Sequence, residues 1–466
     1  MNRLIVISHR APDPAGLKDS GGMVVALKNA MQVHKGIWVG CAPTTREPDQ
    51  PDIAQLDFFH GDAFDIAYYH LSEDEHAGFY TRYSNSVIWP AFHGRLDLID
   101  PEGNSFATYN NVARKIAQAL RPHIRPDDLI WVQDYQLIPV AGHLRALGVR
   151  NKMGFFLHIP FPARDVIMAI PHSQIMLRGF CDYDLIGFQS KRDIEKFSIA
   201  LRSLLDVTPD SNNRFQRGGR TIQIGHFPIS IDVEEFSRFA HQNGNHCVEG
   251  GSKGIIAVDR LDYSKGLLQR LRGFRQFLAD HPEHYGQVTL TQIAQPTREH
   301  IPAYRSLKTE VEQLVSAING QYGGVEWVPV HYVNKRVSRE RVAGLLRSGK
   351  GCLVTPLADG MNLVAKEFVV AQDPADPGVL ILSMFAGASE ELSAALLVNP
   401  YDTGSIAAAT ERAISMPIEE RRARHADLLK AVQSNSIGDW SRNYLAALQA
   451  QAITTAPQPV EFRPKD

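Results

Sequence analysis

Short apolar runs rich in β-branched and aromatic residues punctuate the first half of the chain, at Leu4 to Ile7, Leu129 to Val132, Met153 to Leu157 and Leu185 to Phe188. Stretches of helical periodicity separate them. Such alternation predicts a parallel sheet with helices on both faces. The pattern restarts after residue 252, with runs at Ile255 to Val258, Val288 to Ile293, Cys352 to Thr355 and Val379 to Leu382. Two doubly wound α/β units are therefore expected. The polar segment Phe239 to Gly254, which carries four glycines, reads as a surface loop or linker. It places a domain boundary within 232 to 254, and the domains are drawn as residues 1–240 and 241–438. The tail from Thr454 to Asp466, with three prolines and little apolar content, is expected to be disordered. Open parallel sheets bind ligands beyond the carboxyl ends of their strands, and two such sheets facing one another would form a cleft. Functional residues are expected just after strands.

The length of 466 residues suits two domains, and 44% hydrophobic with 21% charged residues is the balance of a globular protein. A formal net charge of −2 gives no bulk attraction to nucleic acid or anionic membrane, so any anionic ligand must be held by local cations. Cys41, Cys181, Cys247 and Cys352 form neither a CxxC pair nor a zinc-spaced cluster and read as reduced thiols. The apolar segment after the N-terminus is too short for a signal peptide core, and no run approaches the roughly 18 apolar residues of a membrane span. A cytoplasmic, soluble protein is expected, without nucleic-acid or membrane partners.

Several strand ends carry candidate chemistry. In AVDRLDYSKG, residues 257–266, a strand runs into Arg260 and then Lys265 at the start of a helical stretch. A planar guanidinium, a compact ammonium and helix N-terminal amides suit a diphosphate; solvation, or pairing with Asp259 and Asp262, is the plain alternative. In TPLADGMNLVAKE, residues 355–367, a turn at Asp359-Gly360 precedes a helix beginning near Met361. Amides from Met361 to Val364 suit a phosphate or sugar hydroxyls, and Glu367, one turn on, suits the two hydroxyls of a ribose. A simple helix cap is the alternative. Earlier, Arg10 ends the first strand, and Ser20, Gly21 and Gly22 lead into a helix starting near Met23. Asp134 follows WVQ, His158 follows FFL, and Arg298 follows the strand ending TQIA. Each has an ordinary reading as a turn residue, a core histidine or a surface cation, yet all of them fall at strand ends.

The motifs YSNSVIWPAFHGRLDL, DYQLIP, GFFLHIPFP, CDYDLIGFQ, RLDYSKGL, DGMNLVAKEFVVAQ and LVNPYD, in that order, closely resemble those of the trehalose-6-phosphate synthases, glycosyltransferase family 20, over nearly the whole chain. The resemblance implies a GT-B fold: two Rossmann-like domains facing across a cleft, with a C-terminal helix at about Asp439 to Leu448 returning to the first. It also implies no metal ion or other cofactor, and a homo-oligomer is expected. The implied activity is retaining transfer of glucose from a nucleotide-glucose, UDP-glucose foremost, to glucose 6-phosphate. Carried over position by position, Arg260 and Lys265 hold the donor diphosphate, Leu363 and Val364 supply main-chain contacts and Glu367 binds the ribose. His158, Asp359, Gly360, Met361 and Asn362 surround the transferred glucose, and Gly22 belongs to a loop closing over both substrates. Arg260, Lys265, His158 and Asp359 form the catalytic set. Arg10, Tyr80, Trp89 and Arg298 recognise glucose 6-phosphate, with Asp134 on its hydroxyls. The chain departs from the family where SNR is common and it has Ser8-His9-Arg10, where HDYH is common and it has Gln133-Asp134-Tyr135-Gln136, and at Cys41, where a Trp is common. All three lie on the acceptor side, which makes glucosylglycerol-phosphate synthase, a relative using another acceptor, the alternative.

The resemblance offers no carboxylate nucleophile for a double displacement, which favours a front-face mechanism. A glycosidase would need paired carboxylates and no diphosphate grip. A dinucleotide-dependent oxidoreductase should show GxGxxG after its first strand, which Ser20-Gly21-Gly22-Met23 does not supply. A non-catalytic sugar-phosphate sensor would have lost donor residues, and the donor set is present.

Overall fold

The structure, a computed structural model, describes residues 2–13, 22–46, 55–100, 105–244 and 253–451. Ser20, Gly21, Cys247 and the tail from Thr454 lie outside them. The chain forms two compact units, Met1–Pro228 with Gly438–Asp466, and Ile229–Ile437.

The first unit holds a nine-stranded sheet. Its strands are β1 (Leu4–Arg10), β2 (Gly36–Cys41), β3 (Asp57–Phe59), β4 (Asp65–Tyr69), β5 (Leu129–Gln133), β6 (Met153–Phe156), β7 (Leu185–Phe188), β8 (Arg214–Arg217) and β9 (Arg220–His226). The order is β3-β4-β2-β1-β5-β6-β7-β9-β8, parallel except for the edge strands β3 and β8. Nearly every residue of β1, β5, β6 and β7 is buried, as expected of strands covered on both faces. The helix Ile437–Gln449 returns to this sheet from its residue Gly438 onward. Tyr444 stacks on Trp131 at 4.4 Å and donates to the Phe155 carbonyl at 3.0 Å, and Trp440 packs edge-on to Phe156. Gly154 must be glycine here, because a Cβ would lie 2.4 Å from the Tyr444 hydroxyl.

The second unit has six strands, β10 (Lys253–Arg260), β11 (Val288–Gln295), β12 (Val330–Val333), β13 (Gly351–Val354), β14 (Val379–Ser383) and β15 (Leu396–Val398). Their order, β12-β11-β10-β13-β14-β15, is the Rossmann order 3-2-1-4-5-6, all parallel. In each sheet the winding reverses beside the first strand, between β1 and β5 and between β10 and β13. Those reversals open crevices at the strands' carboxyl ends.

Three sequence expectations are corrected. The first unit gives way at Pro228, not at 240, because the helix Val233–Asn243 packs against the helices Arg339–Ser348 and Leu363–Ala371 of the second unit. For the same reason the segment read as a linker from Phe239 is helical to Asn243. The DGMN helix begins at Leu363, two residues later than read, because Asn362 adopts a left-handed conformation with φ 71°. Strands β2, β3, β4, β8, β9, β12 and β15 were not foreseen, nor was a π-helix over Ala77–Ile88. Its cause is local: the side chains of Ser84, Asn85 and Ser86 each donate to the carbonyl five residues back, at 2.7, 2.8 and 2.9 Å. Those bonds suit the wider winding over the α-helical one.

Candidate active site

The carboxyl end of β1 in the first unit is braced from within. Trp38 Nε1 donates to Ser8 Oγ at 2.8 Å, and that hydroxyl donates to the Arg10 carbonyl at 2.7 Å, leaving the Arg10 side chain exposed. Cys41 pairs in register with Arg10 at the end of β2. Burial pushes its thiol up to about 12 against the pull of the Arg10 charge, so it is a neutral, unreactive group. Tyr80, on the π-helix, stacks on His9 with ring centroids 4.2 Å apart. Trp89 is 5% exposed, packed against His93 and Tyr135, so Tyr80 is the more accessible of the two aromatic candidates.

At the winding reversal, Asp134 follows β5 with φ 71°, and its carboxylate accepts from the His158 amide at 3.1 Å. That bond ties the ends of β5 and β6 together. The His158 ring lies with Nε2 2.9 Å from Gln133 Oε1. Burial depresses its pKa to about 3, so the ring is neutral near pH 7. Gly22 opens the helix Gly22–His34.

In the second unit, β10 delivers Arg260, whose side chain is 44% exposed and 3.8 Å from Asp262. Asp262 is buried; it accepts from the Ser264 amide and hydroxyl, while Arg298 approaches it at 3.5 Å. Arg298, left-handed at φ 48°, also donates to the Tyr304 hydroxyl at 2.7 Å. The sequence reading took Arg298 for an anion ligand or a surface cation; its guanidinium is mostly buried against Asp262 and Tyr304.

Lys265 closes a short 3-10 turn, and Gly266 follows with φ +67°. Only glycine suits this position, since a Cβ would lie 2.1 Å from the Thr355 carbonyl oxygen. The close approach seats the SKG turn against the end of β13. Lys265 Nζ then reaches Asp359 Oδ2 at 2.5 Å, and Asn362 Nδ2 donates to the same oxygen at 3.0 Å. The pairing joins the two donor-side motifs, ninety-four residues apart in sequence. Gly360 and Met361 are buried in the turn, and Leu363 and Val364 begin the helix Leu363–Ala371 with partly exposed side chains. Burial raises the Glu367 carboxyl above its ordinary range, with the Arg339 charge acting the other way.

Comparison with known proteins adds the deciding observation. The family model for glycosyltransferase family 20 matches residues 8–450. The chain belongs to glycosyltransferase family 20. Among its family 20 relatives, the trehalose-6-phosphate synthase of Enterobacter sp. (strain 638) is 40% identical, with 99% of this chain and 97% of the relative covered. That of Sinorhizobium fredii (strain NBRC 101917 / NGR234) is 41% identical over 97% of this chain and 99% of its own. The solved α,α-trehalose-phosphate synthase (UDP-forming) of Burkholderia xenovorans, in complex with glucose-6-phosphate, superposes with a TM-score of 0.91 at 38% identity, covering 96% of this chain and 100% of its own. The E. coli protein bound with UDP-2-fluoro glucose gives 0.92 at 39%, covering 97% and 100%. The two parallel-sheet domains are those of the GT-B glycosyltransferases.

Two supporting residues of this family 20 chain escaped the sequence reading, and a third, Gln133, was read only as a departure from the family pattern. Arg270 is fully buried and bonds Asp259 at 2.6 Å, Gln292 at 2.8 Å, Thr355 at 3.0 Å and the Lys265 carbonyl at 3.2 Å, pinning the SKG turn from beneath. Lys366, also buried, donates to the Ile229 carbonyl at 2.9 Å and pairs with Glu391 at 2.7 Å. Gln133 holds His158. The signal for Arg270 and Lys366 was their place on otherwise apolar helix faces. Among the described residues no group of three or more His, Cys, Asp or Glu is placed to hold a metal, and no helix is long and apolar enough to cross a membrane.

Proposed function

We propose that the chain transfers glucose from UDP-glucose to glucose 6-phosphate with retention, releasing UDP and α,α-trehalose 6-phosphate. The observation that carries this reading is the joining of Lys265 and Asp359 at the β10/β13 reversal, in a chain about 40% identical over its full length to trehalose-6-phosphate synthases. Arg260 and Lys265 take the diphosphate, Leu363 and Val364 offer amides, and Glu367 takes the ribose. His158, Asp359, Gly360, Met361 and Asn362 line the transferred glucose, and Gly22 belongs to the segment that covers the substrates. Arg10 and Arg298 take the acceptor phosphate, Asp134 its sugar hydroxyls, and Tyr80 and Trp89 its apolar side.

On substrate binding, Lys265 exchanges part of its pairing with Asp359 for the β-phosphate, and Asp359 is then available to a glucose hydroxyl. The bond from the anomeric carbon to the diphosphate oxygen breaks as the acceptor 1-hydroxyl attacks from the same face. Its proton passes to the departing oxygen. Arg260 and Lys265 stabilise the charge growing on UDP, an electrostatic contribution that is commonly the largest in such sites. These cations serve where other glycosyltransferases use a metal, so the reaction needs none. The enzyme works in the cytoplasm as a homo-oligomer.

The test is product identification after incubating the purified protein with UDP-, ADP- or GDP-glucose and, in competition, glucose 6-phosphate and glycerol 3-phosphate. Trehalose 6-phosphate formed foremost from UDP-glucose is expected. Preferential glucosylglycerol phosphate would overturn the acceptor assignment.

A further inference from the structure

Gln133 occupies the last position of β5 and is completely buried, with its Oε1 2.9 Å from His158 Nε2. Its own amide nitrogen has no hydrogen-bond partner among the described residues. A buried primary amide left half-satisfied is costly, and the one bond it makes goes to a ring assigned to the transferred sugar. The partner also matters by kind. A carbonyl oxygen can only accept, so the imidazole must present Nε2 as its donor, and the neutral ring then carries no proton on Nδ1.

We infer that Gln133 is a positioning residue that fixes His158 as the Nε2–H tautomer, so that Nδ1 accepts a hydrogen bond from a hydroxyl of the transferred glucose. The ring orientation is held from three sides: Gln133 at Nε2, the Phe156 ring at 4.7 Å, and the backbone bond from His158 to Asp134. With its Nε2 proton engaged and the ring neutral, His158 orients the sugar and passes no proton. This rests on the assignment of His158 to the transferred glucose, but the tautomer itself does not.

The test combines a spectroscopic and a kinetic arm on the full chain labelled with 15N-histidine. The substrate-free protein should show one histidine, absent from the His158→Gln spectrum, with a protonated Nε2 and a bare Nδ1 between pH 6 and 8. In Gln133→Leu that signal should become a mixture of tautomers, and kcat/KM for the nucleotide-glucose should fall roughly tenfold or more. Gln133→His, which restores a neutral acceptor, should recover the single tautomer and activity to within a few-fold. A His158 carrying its proton on Nδ1 in the unmodified protein would overturn the inference, as would a Gln133→Leu variant with the tautomer unchanged. If the tautomer responds as stated while kcat/KM does not, the placement of His158 on the sugar is what fails.

Discussion

Replacing Arg270 by Met tests the claim that a buried ion pair holds the donor-side turn. Arg270 has no exposed surface, and the side chain of its partner Asp259 is 3% exposed at 2.6 Å. Burial raises the Asp259 pKa and the Arg270 charge offsets that rise. Removing the guanidinium leaves a carboxylate with no counter-ion at that distance, together with Gln292 and Thr355 short of a donor each. Stranding one member of such a pair costs about 3–5 kcal/mol. The Asp259 carboxyl, raised further without Arg270, then binds its proton more tightly folded than unfolded. The deficit should therefore shrink as pH falls and grow as pH rises. Urea unfolding read by hydrogen exchange in peptides of β10 and β11 reports on the second unit directly. Adding Asp259→Leu should return about half or more of the lost stability, because the desolvation cost of the pair goes with it. A loss under about 1 kcal/mol in Arg270→Met, or strict additivity in the double variant, would refute the reasoning.

Arg260→Ala and Lys265→Ala should each reduce kcat by more than tenfold with the fold retained, as seen by circular dichroism, since each removes a charge from the leaving group. Exhaustive chelation should leave activity intact; loss restored only by a divalent ion would count against cationic side chains as the stabilising groups. Arg298→Ala should weaken use of glucose 6-phosphate by about a hundredfold, narrow its advantage over glucose, and also lower stability, because Asp262 loses a buried partner. His158, with a folded pKa of about 3 against an ordinary 6.5, excludes a proton that the unfolded chain binds below pH 6.5. Its contribution to stability is complete above pH 6.5 and is lost as pH falls, by about 2 kcal/mol between pH 6.5 and 5. His158→Gln should flatten that limb of the pH–stability curve.

Eight of the fifteen described strands, β1, β5, β6, β7, β10, β11, β13 and β14, were legible as short apolar runs bounded by polar residues, and the structure extends β1, β10 and β11 by only a few positions; β2, β3, β4, β8, β9, β12 and β15 were not read. That Arg10, Asp134, His158 and Arg260 sit at or beside strand ends was legible for the same reason, since the sheet's geometry puts chain reversals there; Tyr80, Trp89 and Glu367 sit on helices instead. What escaped was pairing between distant segments. Arg270 and Lys366 fall on the apolar faces of their helices, where periodicity marks a buried position without naming a counter-ion, and only the packed structure supplies Asp259 and Glu391 to neutralise them. Arg298 was visible as a cation, but not its engagement with Tyr304 and Asp262. The π-helix left no trace in hydrophobic periodicity because its cause is a run of three polar side chains bonding backward. The residues of the helix Val233–Asn243 fell on the wrong side of the boundary because a polar, glycine-bearing stretch marks a surface segment without showing what the residues before it pack against.

The returning helix has a consequence for how the chain is made. The sheet of the first unit is synthesised within the first 226 residues, yet Tyr444 and Trp440, which cover Trp131 and Phe156, emerge only after the whole second unit. During translation the early sheet must wait with that aromatic surface and the Gly154 notch uncovered, while the second unit, continuous from Ile229 to Ile437, closes its own core first. A chain ended at Ser436 should therefore carry a protease-resistant second unit beside a first unit that still binds chaperones, and addition of the helix Ile437–Gln449 is the event that completes the older half of the molecule.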